Sequence, residues 1–151
     1  MAFYDSASAK SLWRGYDYYC EGKVARFEVR SDHEIVGHVQ GSDGAEYEVS
    51  IDVDHPRRST CNCPFADGRR VVCKHMVALY FTSVPNSEDD FLADMEQRER
   101  DYEAQEERYR EERLAEITAS VKAMSAKEAR ERLIELLYQD FLRDRYRNDY
   151  W

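Results

Sequence analysis

Apolar residues between positions 6 and 21 recur at spacings of three and four, with Leu12, Trp13, Tyr16, Tyr19 and Cys20 on one side. This period predicts a short helix, stopped by Gly22. The period then falls to two. Val24, Arg26 and Glu28 interleave with Ala25, Phe27 and Val29, and after the polar turn from Ser31 to Glu34 comes the run from Ile35 to Val39. Gly41-Ser42-Asp43-Gly44 is a strong turn signal, beyond which Tyr47, Val49, Ile51 and Val53 alternate with polar positions. Three antiparallel strands joined by tight turns follow, with one face packed and one wet. The first helix is expected to cover the packed face. Met76, Val77, Leu79, Tyr80 and Phe81 form an apolar helical run that Pro85 must end. Residues 1–84 therefore read as one α+β unit.

The pattern thins beyond this point. Residues 83–90 are polar, contain a proline and read as a linker. Residues 91–113 are dominated by Glu and Arg, and Met95, Tyr102 and Tyr109 recur every seven residues, a narrow stripe on a long exposed helix. Leu114, Ile117, Val121 and Met124 make a denser face. Ser125-Ala126-Lys127-Glu128 matches a capping box and starts a last helix, whose face carries Ala129, Leu133, Leu136, Leu137 and Phe141. Two helices meeting at Ser125 are expected to form a hairpin. Residues 85–151 are thus an all-α, charged helical extension: a long helix plus a helical hairpin. Tyr146, Tyr150 and Trp151 at the end offer an anchor for a partner.

Composition supports a real core, at 42% hydrophobic and 13% aromatic residues, while 35% charged residues imply a highly solvated surface. The net charge is −9, which argues against a protein that coats nucleic acid with its whole surface. Its distribution is more informative. Residues 1–54 hold 5 basic and 11 acidic groups, residues 55–87 hold 5 basic groups against Asp67 alone, and residues 88–151 hold 12 basic and 19 acidic groups. The middle segment is the net-positive one, through Arg57, Arg58, Arg69, Arg70 and Lys74.

That segment also carries CNCPFADGRRVVCKH, residues 61–75. Cys61 and Cys63 stand one residue apart, nine residues intervene, and Cys73 and His75 repeat the spacing. Alternate residues of an extended chain point the same way, so each pair can chelate one ion. Three thiolates and an imidazole suit a closed tetrahedral zinc site. Pro64 and Gly68 favour the return turn between the pairs. Cys20, the fourth cysteine, is expected at a core position of the first helix. The opening residues lack a basic stretch followed by a continuous apolar run, and no stretch approaches the length of a transmembrane helix. The clustered thiols fit metal binding in a reducing cytoplasm, with the nucleoid or nucleus as compatible compartments.

Cys-x-Cys, a spacer and Cys-x-His together resemble the SWIM zinc finger family. The flanks are similar as well: Arg14-Gly15-Tyr16-Asp17-Tyr18-Tyr19 in a helix, Gly22-Lys23-Val24 at the start of the sheet, Val39-Gln40-Gly41-Ser42 at a turn, Tyr47-Glu48-Val49 in a strand, and Cys73-Lys74-His75 entering a helix. The resemblance covers residues 1–84. It implies a ββα zinc unit holding one structural Zn2+, which binds DNA or proteins.

Three function classes follow. The first is nucleic-acid binding, DNA above all, through a patch of Arg57, Arg58, Arg69, Arg70 and Lys74, since the guanidinium fork suits phosphate. The second is a protein-interaction adaptor, with a partner or a second copy docking on residues 91–151. Catalysis is the weakest class. Four protein ligands close a zinc site to water, His33, His38 and His55 fall at polar strand or turn positions, and no phosphate loop or nucleophile elbow is present. No membrane association and no small-molecule substrate are expected.

Overall fold

The structure, a computed structural model, describes residues 2–42 and 44–148, without the side chains of residues 146–148. Tyr150, Trp151 and the Tyr146 side chain, named above as an anchor, lie outside the described residues. The chain divides into two units, Met1–Asp94 and Met95–Trp151.

In the first unit a 3-10 turn, Phe3–Ser6, precedes α1, Ala9–Cys20. The helix starts at residue 9 rather than 6 because Ser8 caps it: its hydroxyl accepts the Ser11 amide at 3.2 Å. Strands β1 (Val24–Val29), β2 (Glu34–Gln40), β3 (Glu46–Asp52) and β4 (Thr60–Cys61) form an antiparallel sheet in chain order. Three of these strands are the alternating segments. The fourth, at two residues, is too short to show a period and is defined by its partner, since Cys61 pairs with Val49 and Thr60 with Ser50. The alternation holds: Ile35, Gly37 and Val39 on β2 and Val49 and Ile51 on β3 are buried, while the residues between them are more open.

The helix that covers this face is α2, Lys74–Ser83, and not α1. Met76 through Phe81 are all buried. A helix apolar all round belongs at the centre of a unit, whereas one with a single apolar stripe belongs at its edge. Accordingly α2 contacts β1, β2 and β3 as well as α1. Glycines make the approach close enough. A Cβ at Gly15 would lie 2.4 Å from the Cβ of Val77, and one at Gly37 would lie 2.7 Å from Leu79 Cδ1. The α1 residues turned inward are Ser11, Gly15 and Tyr18, so Cys20 lies exposed rather than in the core.

Trp13, Tyr16 and Tyr19 join Tyr4, Phe81 and Phe91 in an aromatic cluster with ring centroids 5.2 to 6.3 Å apart. Phe91 is fully buried there although it belongs to α3, Ser87–Ala123. The first turns of α3 are therefore part of the first unit, and hydrogen bonds hold them. The Glu88 carboxylate accepts from the Tyr16 and Tyr19 hydroxyls at 2.9 and 2.7 Å, and the Tyr4 hydroxyl donates to Asp94 at 3.3 Å.

In the second unit α3 continues to Ala123, and α4, Ala126–Asn148, follows. The capping box between them forms, with the Ser125 amide donating to Glu128 Oε2 at 2.8 Å and the Glu128 amide to Ser125 Oγ at 3.3 Å. Most large apolar side chains of this unit stay open, from 47% exposed at Ile117 to 68% at Ile134, while Met95, Met124 and Leu142 are half-buried.

Candidate metal centre and basic surface

Each ligand of the cysteine–histidine cluster is placed by a different local cause. Cys61 ends β4, opposite Val49. Asn62 carries the ladder one step further, its Oδ1 accepting the Glu48 amide at 2.9 Å and its own amide donating to the Glu48 carbonyl at 3.3 Å. The chain then turns sharply. The Cys63 carbonyl accepts the Ala66 and Asp67 amides at 3.0 and 2.9 Å, and Gly68 adopts a left-handed φ of 66° that lets the loop return. Cys73 is the N-cap of α2, and His75 is that helix's second residue. A thiolate at this helix end sits at the positive pole of the backbone dipole.

All four side chains are buried, and their ligand atoms lie within 4.8 Å of one another. Cys61 Sγ is 3.7 Å and Cys73 Sγ 4.0 Å from His75 Nδ1. A tetrahedron with zinc–sulfur bonds of about 2.3 Å and zinc–nitrogen bonds of about 2.0 Å separates its corners by about 3.5 to 3.8 Å. The spacing fits that ion, and so does the donor chemistry. The hydrogen bond to Cys73, with burial, pushes the Cys61 thiol up, while the same hydrogen bond, helped by His75 against burial, holds Cys73 down. A buried pair pulled apart in this way shares a proton that a divalent cation can replace. His75 Nε2 has no hydrogen-bond partner among the described residues, so beyond the sulfurs at Nδ1 the ring is positioned by packing. Tyr47 stacks on it at 4.6 Å and Tyr18 leans on it at 5.6 Å. Cys61, Cys63, Cys73 and His75 are positioned to bind one zinc ion.

The five basic residues of the sequence segment do not form one patch. Arg57, Arg58, Arg69 and Arg70 line an open concavity of about 1360 Å3, and all four are exposed. Arg57 and Arg58 sit in a 3-10 turn, Pro56–Arg58, fixed by the His55 amide donating to Asp52 Oδ1 at 2.8 Å and the Asp52 amide donating to Ser59 Oγ at 3.0 Å. Arg69 and Arg70 follow Gly68, where the metal loop turns back. Their side chains have no ion-pair partner among the described residues. Glu48 and Asp67 share the lining, as does Arg30, which sits alone at the end of a net-acidic segment and gave no signal in the sequence.

Lys74 faces elsewhere. Its Nζ donates to the Tyr18 hydroxyl at 2.5 Å and lies 4.2 Å from the centre of the Tyr18 ring. Burial pushes that hydroxyl up, but hydrogen bonds from Lys74 and Ser42 and the nearby Lys74 and Arg14 charges outweigh it. Lys74 lines a second, smaller pocket with Lys10 and Arg14 of α1. Lys10 and Arg14 stand one helix turn apart in α1, a spacing visible in the sequence, but they lie outside the net-positive segment 55–87.

Residues 47–83 match the family model of the SWIM zinc finger. The match runs from β3 through the metal loop to the end of α2 and takes in all four candidate ligands. The SWIM zinc finger is a binding module rather than a catalytic family, and such domains generally mediate macromolecular binding. No curated protein and no solved structure matches the chain. Among the described residues no helix is long and apolar enough to cross a membrane.

Proposed function

We propose that this protein is a zinc-stabilised, non-enzymatic module that binds nucleic acid, foremost DNA, through the arginine concavity beside the metal loop. In this reading Cys61, Cys63, Cys73 and His75 are the ligands, and the ion cross-links the loop to α2. The observation that carries the reading is the quartet Arg57, Arg58, Arg69 and Arg70. Four exposed arginines line one concavity in a chain of net charge −9, and although Glu48 and Asp67 share the lining, none of the four forms an ion pair among the described residues. Arginines that served only to neutralise an acidic body would be paired. Free ones are matched to phosphate, which takes their donors two at a time. Lys74, engaged with Tyr18, plays no part in this concavity. A cytoplasmic location, including a nucleoid or nucleus, accords with the unpaired buried thiols.

Salt-dependent binding tests the proposal. Replacing the four arginines with alanine should weaken DNA binding and lower the slope of log K against log salt by about 3, from roughly 0.7 per lost phosphate contact on a single strand. An unchanged slope would refute it.

A second reading has its own observation. Leu133, Ile134, Leu136, Leu137 and Phe141 on α4 are more than half exposed, an apolar surface suited to a protein partner or a second copy. Replacing Leu133, Leu137 and Phe141 with glutamate should abolish partner capture or self-association while leaving the zinc content intact.

A further inference from the structure

We infer that the smaller pocket beside the metal loop is a subsite for one unpaired nucleotide of a DNA strand, its phosphate held by Lys10, Arg14 and Lys74 and its base laid against Phe65. This deepens the nucleic-acid reading above and rests on it.

The pocket encloses about 400 Å3, within the range of small-molecule sites, about 300 to 1,000 Å3. Among the described residues its lining contains no acid. Two of the three cations stand where the helix dipole disfavours them. Lys10 lies in the first turn of α1 and Lys74 in the first turn of α2, where the backbone dipole is positive, and neither helix has an acidic residue in that turn. Lys10 and Arg14 are four residues apart, so like charges repel along one face. Neither forms an ion pair among the described residues. The metal centre answers part of this charge, because three thiolates on one divalent ion leave a net charge of minus one. Among the described residues, three cations against that leave a surplus of two, which an anion entering the pocket would satisfy.

The rest of the lining specifies a flat ring beside the anion. Phe65 is 51% exposed at the turn of the metal loop, where the hydrogen bonds to the Cys63 carbonyl hold the backbone. An aromatic ring kept out of the core on a fixed loop presents a stacking face, and Tyr47, stacked on His75, shares the lining. Cation and stacking face together match the two halves of a nucleotide. A duplex keeps its bases paired inside, so a single strand is the form that can fill the site. The loop also links the two surfaces: Asn62 and Ala66 line the arginine concavity, while Cys63, Pro64 and Phe65 between them line this pocket. A strand lying along the arginines can therefore turn over the loop and set one base in the pocket.

The test uses the full chain and a fluorescent single-stranded DNA oligonucleotide, compared with the duplex of the same sequence, with binding read by anisotropy. Zinc content is measured on every variant. Phe65→Ala should lower single-strand affinity at least about fivefold and duplex affinity less than about twofold. Arg14→Ala should weaken single-strand binding and reduce its salt slope by about 0.7. If Phe65→Ala loses zinc, Phe65→Leu, which keeps apolar bulk without a stacking face, decides in its place and should show the same selective loss. Equal affinity for both DNA forms, with Phe65 variants neutral and the arginine quartet still required, would overturn the subsite and leave the arginine reading standing. Binding of neither DNA form would overturn both. Deoxyadenosine monophosphate binding as tightly as the strand would assign the pocket to a free nucleotide and overturn the strand proposal.

Discussion

Tyr47 on β3 lies nearly flat on the imidazole of His75 on α2, with ring centroids 4.6 Å apart and planes 27° from parallel. The contact joins the sheet to the ligand that the helix supplies, and it holds the ring from one face while Cys61 and Cys73 approach Nδ1 and Nε2 is buried without a partner among the described residues. A metal ligand held by stacking is only as well oriented as its neighbour.

Tyr47→Ala should therefore lower zinc affinity by roughly tenfold or more, measured by competition with a chromophoric chelator. Tyr47→Phe, which keeps the ring, should bind zinc like the parent. Equal affinity in all three proteins would show that the stack does not orient the ligand.

The fit of α1 to α2 rests on a missing side chain. At Gly15 a Cβ would meet Val77 Cβ at 2.4 Å and the Lys74 carbonyl at 2.8 Å. Gly15→Ala should destabilise the first unit by about 1–3 kcal/mol, the usual range for overpacking, despite alanine's better helix propensity. Urea denaturation measures it, and a neutral or stabilising effect would contradict the packing described.

High pH should loosen the start of α3. Burial, then Asp94, pushes Tyr4 up to about 12. Tyr16 and Tyr19 are raised as well, first by their hydrogen bonds to Glu88. An unfolded tyrosine loses its proton near pH 10. The folded state holds these protons longer, so their contribution is complete below about pH 10 and is lost as pH rises through the folded values, to about 12 for Tyr4. The urea midpoint should fall over this window, and Glu88→Gln should make the fall shallower. A flat midpoint would mean that the tyrosine–carboxylate bonds add nothing.

How far the sequence speaks for the fold differs from element to element. The strands were legible because β2 and β3 each turn one face inward, and the ligand set because two matched pairs of soft donors have few other uses. The layer order was harder to read. The apolar run from Met76 to Phe81 already marked a helix buried on all sides, yet the aromatic stripe on α1 looked like the natural cover for the sheet. In the fold that stripe faces Phe81 and Phe91 instead. Phe91 itself was hidden in a charged stretch, since one buried aromatic has no period. The basic residues were legible as a cluster in sequence, but β4 and the turn of the loop divide them in space, with four at one concavity and Lys74 at another pocket beside Lys10 and Arg14.

The zinc content of the purified chain, handled without chelator, tests the central claim most directly. Elemental analysis should find one ion per chain, and Cys63→Ala or His75→Ala should reduce it sharply and melt the first unit as a whole, since binding a structural ion is folding free energy. Protein that is fully ordered without stoichiometric zinc, or either variant holding its full complement, would contradict the account.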